Sequence, residues 1–328
     1  MKICSGDFNV GQMCGIVGYL GNGVAQESLV DGLRRLEYRG YDSAGVAFHE
    51  GDQFSLARET GRVNNLAEAL RDSSSTSSLG IAHTRWATHG AVTVSNTHPH
   101  VSQDRKFVMV HNGVIENFAT LKKFLTSKGI EFASQTDSEV LCNLIAYHYS
   151  ELEDGEDRFI EAVRLSLAKC RGAYGIAILC IDYPDTMIGA RRGSPLVVGL
   201  GEDANFIASD ASAFVGRAKE AVFLNDGELA ILKGNDFRIT TLEGRDAQAV
   251  AHPLDHILEE VELGDFDSYM EKEIYEQPSV IGDSLSRFIN PLQKKINIPN
   301  LEIDWKRIKK INLVACGTSF YACLTETN

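Results

Sequence analysis

The chain has 328 residues, of which 44% are hydrophobic and 23% are charged. This mixture is typical of a folded protein with a sizeable core, and it excludes a disordered chain. The formal net charge is −13, from 32 basic and 45 acidic residues. An excess of negative charge repels phosphate backbones, which argues against nucleic acid as a partner.

The length predicts two folded units, or one large domain with an appendage. The sequence contains no run of about 18 apolar residues that could span a bilayer, and its N-terminus lacks the apolar segment of a secretory signal. The 7 cysteines form no Cys-x-x-Cys pair, which favours reduced thiols over a disulfide framework or a zinc site. We therefore expect a cytoplasmic protein without a membrane partner.

The first elements are predicted from apolar spacing and from the glycines that interrupt it. Residues 13–21 are typical of a strand that ends in a Gly/Asn turn. Residues 26–35 predict a helix, since Leu29, Leu33 and Leu36 share one helical face, and Gly40 marks the exit. The serine-rich stretch 72–78 is typical of a solvated loop.

Three helices are predicted in the middle of the chain. One covers residues 117–128 and is closed by Gly129, and another covers roughly 159–170. Between them, residues 136–139 form a capping box in which the Thr136 hydroxyl and the Glu139 carboxylate satisfy free N–H groups. The helix that this box opens is expected to turn these side chains inward: Val140, Leu141, Leu144, Ile145 and His148.

Short apolar runs separated by turns follow these helices. The turn at residues 225–227, Asn-Asp-Gly, predicts a hairpin that joins the last two runs. Strands, then helices, then more strands indicate a layered α+β fold rather than a regular βαβ array. The predicted strands cover residues 174–181, 195–200, 205–208, 221–224 and 228–232.

A change to charged, helical composition places a domain boundary near residues 255–268. A buried strand is predicted at 311–315, and it leads into a turn suited to opening a helix and receiving a phosphate. One strand cannot bury both of its faces, so the segment after the boundary forms no complete α/β domain. The residues of the phosphate turn are Cys316, Gly317, Thr318 and Ser319.

Cys14 is the first candidate for chemistry. A thiol reacts as thiolate and needs a nearby base. If the mature chain begins at Cys14, its free α-amino group, with a pKa near 8, could serve as that base, so that one residue supplies both nucleophile and base. The alternative is a cysteine buried in a strand without any chemical role.

Other unusual residues have alternatives of the same kind. Arg85 could form a surface pair with Trp86 or clamp a carboxylate. Asn112-Gly113 could be a turn, and Asp137 could simply be an acid favoured by the helix dipole. A group of histidines could suggest a metal, but their spacing matches no zinc pattern, which favours hydrogen bonds at strand ends. These histidines are His83, His89, His98, His100 and His111.

Taken together, the motifs form a longer pattern that is informative. Its members are CGIVGYLG at 14–21, LEYRGYDSAG at 36–45, HTRWATHG at 83–90, NTHPHV at 96–101, HNGVIEN at 111–117 and TDSEV at 136–140. From Cys14 onward the chain closely resembles glutamine–fructose-6-phosphate aminotransferase (isomerizing), also called glucosamine-6-phosphate synthase. The motifs lie in the glutaminase domain of that family.

This resemblance implies a four-layer αββα N-terminal-nucleophile fold and a catalytic site. Cys14 would attack the side-chain amide of L-glutamine with its own α-amine as base. Asn112 and Gly113 would form the oxyanion hole. Arg85 would hold the α-carboxylate of glutamine, and Asp137 its α-ammonium.

The resemblance also implies a pocket, a gate and a destination for ammonia. Thr88 and His89 would line the glutamine pocket, while Trp86 and the Arg39-Gly40 segment would close over it and gate ammonia. The thioester on Cys14 would be hydrolysed to glutamate. In the full family, ammonia passes to an isomerase domain that holds fructose 6-phosphate and makes glucosamine 6-phosphate. No cofactor and no metal are implied.

Residues 270–278 and 315–319 resemble the beginning of the isomerase half and its first sugar-phosphate loop. They distinguish the chain from amidophosphoribosyltransferases, which share the glutaminase chemistry. We therefore expect a glutaminase domain at 14–255, followed at 256–328 by a helical linker and an incomplete α/β isomerase domain. Because the remainder of the isomerase half is missing, glutamine hydrolysis alone is expected, unless a downstream fragment on another chain complements it.

Residues 1–13 depart from the family because they precede the nucleophile. An amide-linked Cys14 has no free amine and hence no base. Translation from Met13, or removal of a propeptide, would restore it, and we expect mature protein to begin at Cys14. The alternative is a non-catalytic remnant or a regulatory module that binds glutamine without turning it over.

Overall fold

The computed structural model describes residues 14–71, 75–86, 91–254 and 266–286, the pairs 289–290, 295–296 and 309–310, and residue 324. The chain divides into two compact units, which are described separately. The larger spans Gln12–Glu260, and the smaller includes Val261–Asn328.

The larger unit is built from antiparallel strands and helices. Its strands, in chain order, are β1 (Gly15–Gly21), β2 (Ser43–Glu50), β3 (Gln53–Thr60), β4 (Leu79–Arg85), β5 (His100–Val101), β6 (Phe107–Ile115), β7 (Gly172–Cys180), β8 (Thr186–Arg192), β9 (Val197–Leu200), β10 (Ala204–Ala208), β11 (Glu220–Phe223), β12 (Glu228–Lys233), β13 (Asp236–Thr241) and β14 (Ala251–Pro253). Its α-helices are α1 (Ala25–Leu36), α2 (Val63–Ala69), α3 (Phe118–Ser127), α4 (Asp137–Glu151) and α5 (Arg158–Lys169).

The strands form two sheets. One has eight strands in the order β14-β11-β9-β10-β1-β4-β2-β3, and the other has six in the order β13-β12-β8-β7-β6-β5. All of the pairings within them are antiparallel.

Three buried apolar clusters show how the layers stack. Leu29 and Leu33 of α1 pack with Val17 and Val46 against the outer face of the eight-stranded sheet. A second cluster fills the space between the sheets, with Ile16 and Ile81 from one and Val110 and Leu179 from the other. A third joins the six-stranded sheet to the remaining helices, through Met109 and Ile178 with Leu144 of α4 and Val163 of α5. The order is therefore helices, sheet, sheet, helices, and the predicted four-layer αββα fold is confirmed.

The strand that follows Cys14 explains how this layering uses the sequence. On β1, Ile16 and Leu20 lie in the inter-sheet cluster, while Val17 and Tyr19 lie in the cluster beneath α1. Successive side chains of a strand point to opposite faces, and both faces are covered here. The segment therefore reads as a continuous apolar run, as a doubly buried strand does.

The capping box at the beginning of α4 is confirmed, with one difference in its partners. The hydroxyl of Thr136 accepts a hydrogen bond from the Glu139 amide at 3.2 Å. The Glu139 carboxylate accepts from the amides of Ala133 at 2.7 Å and Ser134 at 2.6 Å, which precede the cap. The predicted inward residues Val140, Leu141, Leu144 and Ile145 are buried, and His148 is half-buried.

The predicted hairpin at residues 225–227 is wrong. Strand β11 pairs with β9 and β14 in the eight-stranded sheet, whereas β12 pairs with β8 and β13 in the other. The local turn exists, since Gly227 has a φ of +84°, but it carries the chain from one sheet to the other. Val222 of β11 and Leu232 of β12 are both buried in the cluster between the sheets. This long-range burial, and not the local turn, decides which strands pair.

The smaller unit contains the helix predicted in its first part. This helix, α6 (Tyr269–Ser286), includes Pro278, and a two-stranded ladder pairs β15 (Ile289–Asn290) with β16 (Lys295–Ile296). The predicted strand at 311–315 and the turn residues Cys316, Gly317, Thr318 and Ser319 lie outside the described residues. In the part of the chain that the structure describes, no helix has both the length and the apolar character needed to cross a bilayer.

Candidate active site

Cys14 lies directly before β1 and is held by the end of β4. The register that pairs Gly15 with Thr84 brings Cys14 beside the Arg85-Trp86 segment. The amide of Trp86 donates to the Cys14 Sγ at 3.1 Å, and the carbonyl oxygen of Trp86 lies 3.6 Å from the same sulfur. Cys14 as a whole is half-buried, and these contacts fix the position of its thiol.

The Cys14 thiol is held in its protonated form by its surroundings. Burial raises its pKa above the ordinary value, and the Asp42 carboxylate adds to this rise. The hydrogen bond from the Trp86 amide and the charge of Arg85 oppose the increase without cancelling it. A neutral thiol is a weak nucleophile, so this cysteine needs a base before it can attack.

Asn112 joins the two sheets at Cys14. It lies on β6 of the six-stranded sheet, and its Nδ2 donates to the carbonyl oxygen of Cys14 at 2.9 Å. Its Oδ1 lies 2.9 Å from Nε2 of His83 on β4. The turn alternative for Asn112-Gly113 is wrong, because both residues lie within β6, where Gly113 pairs with Tyr174.

Gly113 adopts a backbone conformation that other residues rarely adopt. Its φ is +117°, and a Cβ at this position would lie 2.2 Å from the carbonyl oxygen of Ala173. Glycine is the residue that meets both requirements, the positive φ and the close approach of β7. The local geometry next to Asn112 therefore depends on the absence of a side chain.

Arg85 and Asp137 are the two residues predicted to recognise glutamine. Arg85 ends β4 and is buried, with Nη1 donating to the carbonyl oxygen of Ala91 at 3.4 Å. The surface-pair alternative for Arg85 is therefore wrong. Asp137 begins α4, and its Oδ2 accepts from the Ile115 amide at 2.7 Å. Asp137 is thereby tied to β6 three residues beyond Asn112, a separation of about 10 Å along a strand.

The other predicted site residues are only partly described. Trp86 contacts the sulfur through its backbone. Gly40 follows a short 3-10 helix, Glu37–Arg39, and donates its amide to the Glu37 carbonyl oxygen at 3.1 Å. The Arg39 side chain and the residues Thr88 and His89 lie outside the described part of the structure. Their roles in the pocket and the gate stay predictions.

A cluster of buried histidines lies behind Asn112. His83 stacks on His98 with ring centroids 4.2 Å apart, and His98 meets His100 edge-on at 4.5 Å. His98 Nδ1 accepts from the His111 amide at 3.3 Å, and the Ser138 hydroxyl lies between His98 Nε2 and His111 Nδ1, at 3.3 and 2.9 Å. These four rings form hydrogen bonds, as the sequence predicted, but His83 and His111 lie within β4 and β6 rather than at strand ends. His89 lies outside the described residues. Sequence reasoning did not foresee that one of the four rings would hold Asn112.

Burial keeps these rings uncharged. It lowers the pKa of His83 to about 3, and it also lowers the pKa values of His98, His100 and His111. Within the described ranges, no group of three or more histidine, cysteine, aspartate or glutamate side chains is arranged to hold a metal ion.

Comparison with known proteins shows what part of this site is similar to. A family model described as a glutamine amidotransferase domain matches residues 83–216. Residues 83–216 are therefore similar to a glutamine amidotransferase domain. They include Arg85, Asn112, Gly113 and Asp137, whereas Cys14 precedes them.

Two curated relatives make the resemblance more specific. The glutamine–fructose-6-phosphate aminotransferase [isomerizing] of Clostridium tetani is 41% identical over 95% of this chain and 51% of its own length. The enzyme of the same name from Thermus thermophilus is 42% identical over 95% of this chain and 50% of its own length. The resemblance predicted from the motifs is confirmed. The chain spans about half the length of the curated relatives that it matches.

Solved structures support the fold. The glutamine phosphoribosylpyrophosphate amidotransferase of B. subtilis, in complex with ADP and GMP, superposes with a TM-score of 0.59 at 26% identity, covering 70% of this chain and 49% of that chain. A structure described as the allosteric regulatory enzyme of purine biosynthesis superposes with the same TM-score at 27% identity, covering 70% of this chain and 49% of that one. Both agree with the N-terminal-nucleophile fold of the larger unit.

Proposed function

We propose that this chain hydrolyses the side-chain amide of L-glutamine to glutamate and ammonia, with Cys14 as nucleophile. The observation that carries the proposal is the hydrogen bond of 2.9 Å from Asn112 to the Cys14 carbonyl oxygen. It places an amide donor beside the thiol of a half-buried cysteine, as an acyl-transfer site requires. The amidotransferase domain and the names of the relatives support the same reaction.

The base in this proposal is the α-amino group of Cys14 itself. The thiol is held protonated, and an α-amine has an ordinary pKa of about 8, close enough to neutrality to accept its proton. Residues 1–13 precede Cys14 in the sequence, so activity requires that the bond between Met13 and Cys14 be cleaved. We propose that the active form begins at Cys14.

The reaction then proceeds in two halves. The sulfur of Cys14 forms a bond to the amide carbon of glutamine, and the negative charge on the amide oxygen meets Nδ2 of Asn112 and the amide of Gly113. The α-ammonium of Cys14 returns the thiol proton to the amide nitrogen, the C–N bond breaks, and ammonia leaves a thioester on the sulfur. Water, deprotonated by the same amine, then attacks the thioester; the C–S bond breaks, the proton returns to the sulfur, and glutamate is released.

Recognition of the amino acid is assigned to two charges. Arg85 would hold the α-carboxylate, and Asp137 the α-ammonium, because a zwitterion needs one group of each sign. The Asp137 carboxylate is oriented for this by the Ile115 amide. Thr88 and His89 would line the pocket, and Trp86, Arg39 and Gly40 would close over it.

The relatives' names suggest where the ammonia goes. We propose amino-sugar synthesis from fructose 6-phosphate, with the sugar held by an isomerase half whose beginning lies in residues 256–328 and includes the loop at 316–319. The free thiols of Cys142, Cys170 and Cys180 support a reducing compartment, the cytoplasm.

The test is glutamate release from protein that begins at Cys14. Wild type should release equal amounts of glutamate and ammonia, and Cys14→Ala should lose at least about 1,000-fold in rate. Cys170→Ala, which removes a buried thiol elsewhere in the fold, is the matched control and should keep the rate. Equal rates for wild type and Cys14→Ala would reject the proposal and leave only a module that binds glutamine.

A further inference from the structure

We propose that His83 is a positioning residue, whose imidazole fixes the Asn112 amide with its N–H groups directed toward Cys14. The inference rests on the proposed glutaminase function. It assigns a role to a buried side chain that does not itself touch the reacting thiol.

The direction of the hydrogen bonds follows from what each atom can do. The Cys14 carbonyl oxygen can only accept, so the Asn112 atom 2.9 Å from it is Nδ2, which donates. The Asn112 Oδ1 therefore faces His83 Nε2 at 2.9 Å. Because an amide oxygen can only accept, His83 must carry its proton on Nε2.

The opposite orientation of the Asn112 amide is penalised at both ends. It would set Oδ1 against the Cys14 carbonyl oxygen, two acceptors in contact. It would also require His83 to move its proton to Nδ1, a buried nitrogen that has no hydrogen-bond partner among the described residues. Both penalties arise in a buried or half-buried region, where an unmet polar group is costly. His83 thus selects the amide orientation in which a donor faces the nucleophile.

The anchoring leaves one hydrogen of Asn112 for catalysis. An amide nitrogen carries two hydrogens, and one is used by the Cys14 carbonyl oxygen. The second can meet the oxyanion of the tetrahedral intermediate while Oδ1 stays on His83. Donation from His83 also polarises the amide, which strengthens the N–H groups as donors.

A neutral ring is suited to this role, and its neighbours keep it in place. His83 is buried and stacks on His98 at 4.2 Å. Burial keeps the ring uncharged at neutral pH, with a pKa of about 3. The ring therefore supplies a fixed donor without adding a positive charge beside Arg85.

The alternative is that His83 merely fills space, and His100 provides the matched control. His100 is also buried in the cluster, and its Nε2 lies 3.0 Å from the Thr136 hydroxyl. It meets His98 edge-on, and none of its described hydrogen bonds involves Asn112. Replacing it disturbs the same packing without removing the anchor of the amide.

The experiment measures glutamate release by four variants of protein that begins at Cys14: His83→Leu, His83→Gln, His100→Leu and His100→Gln. His83→Leu should lower kcat about 10- to 100-fold and change KM little. This loss is no greater than the one that follows removal of an oxyanion donor. Gln places an N–H donor near the position of Nε2, so His83→Gln should recover most of the rate. Both His100 variants should keep the wild-type kcat. The inference fails if His83→Leu keeps the wild-type kcat, if it matches His100→Leu, or if His83→Gln recovers nothing.

A second measurement is independent of activity. Imidazole ¹⁵N chemical shifts of the wild-type protein, assigned by comparison with His83→Gln, report which nitrogen carries the proton. A His83 protonated at Nε2 supports the assigned orientation of Asn112, whereas a proton on Nδ1 overturns it. Absence of glutamate from the wild type would instead reject the proposed function, and the spectrum would still decide the orientation.

Discussion

Asn112 donates to the carbonyl oxygen of Cys14 at 2.9 Å across the boundary between the two sheets, from a position 98 residues away in the sequence. Cys14 precedes the central strand β1 of one sheet, and Asn112 belongs to β6 of the other. The site is therefore complete only when the sheets are stacked on their shared apolar cluster. Fold and chemistry depend on the same packing.

Loss of the Asn112 amide should affect the chemical step. Asn112→Ala removes a donor that is needed once charge develops, so kcat should fall about 100- to 1,000-fold while KM changes little. Asn112→Asp keeps the shape but directs a carboxylate oxygen at the Cys14 carbonyl, and it should be at least as slow. Asn205→Ala is the control, since this buried amide bonds the Asn235 carbonyl oxygen elsewhere. Steady-state kinetics with an unchanged kcat for Asn112→Ala would contradict the assignment.

The carboxylate of Asp137 should recognise the α-ammonium of glutamine. Asp137→Asn can still accept from the Ile115 amide, so the fold should be kept while the charge is lost. KM for glutamine should rise about 10- to 100-fold, as expected for a hydrogen bond to a charged group. Glutaramate, which lacks the α-ammonium, is the informative second substrate.

With glutaramate, wild type and Asp137→Asn should have similar KM values. Arg85→Gln is the matched counterpart. It should raise KM for both substrates, because glutaramate keeps the carboxylate that Arg85 holds. If Asp137→Asn raised KM by the same factor with both substrates, Asp137 would act on the fold and not on the α-ammonium.

Gly113 should be intolerant of a side chain. Gly113→Ala combines a φ of +117° with a Cβ placed 2.2 Å from the Ala173 carbonyl oxygen, so β7 must shift. The free energy of unfolding should fall by about 2 kcal/mol or more, and glutamate release should be lost. Gly129→Ala has a φ of +86° with nothing within 4 Å, so it should cost about 1 kcal/mol and keep activity. Urea unfolding that gives equal losses for the two variants would contradict the steric argument.

The buried histidine cluster should make stability fall in mild acid. The pKa values of His83, His98, His100 and His111 lie below the unfolded value because burial disfavours the charged rings. The unfolded chain therefore binds protons below about pH 6.5 that the folded chain does not. Stability is fully present above that pH and is lost as the pH falls, by up to about 1.4 kcal/mol per pH unit for each ring.

Urea unfolding at about pH 7, 6 and 5 measures this dependence, in a range where most carboxylates are still ionised. Burial also lowers the pKa of His148, so five rings contribute to the slope between the two lower pH values. His100→Gln removes one of them, and the slope should become about one fifth smaller. An unfolding free energy that stays constant over this range would show that the rings are protonated in the folded protein.

Local features of the fold could be predicted from the sequence, whereas the choice of sheet partners could not. The helices α1 and α4 and the strand β7 follow from apolar spacing and from the cap at Thr136. Strands β2 and β4 were not predicted because buried small and polar residues, such as Gly45, His49 and His83, interrupt their apolar runs. The turn at residues 225–227 has local hairpin chemistry, but long-range burial pairs its two flanking strands in different sheets.

The site was predicted as a set of residues rather than as a geometry. The motifs pointed to Cys14, Arg85, Asn112, Gly113 and Asp137 through their resemblance to a family. Neither composition nor spacing indicated that Asn112 reaches Cys14 from a second sheet, or that His83 holds its other end. Such contacts depend on how the sheets stack. The sequence offered only one indication of the second contact, the histidine at the start of the HTRW motif.

The central claim is that an unblocked Cys14 performs the reaction, and intact-mass spectrometry combined with a glutamate assay tests it most directly. Protein expressed from Met1 and protein that begins at Cys14 are each incubated with glutamine, and the mass of each is determined during turnover. Glutamate should form in proportion to the fraction whose mass corresponds to a start at Cys14. Full turnover by protein that retains residues 1–13 would contradict the account.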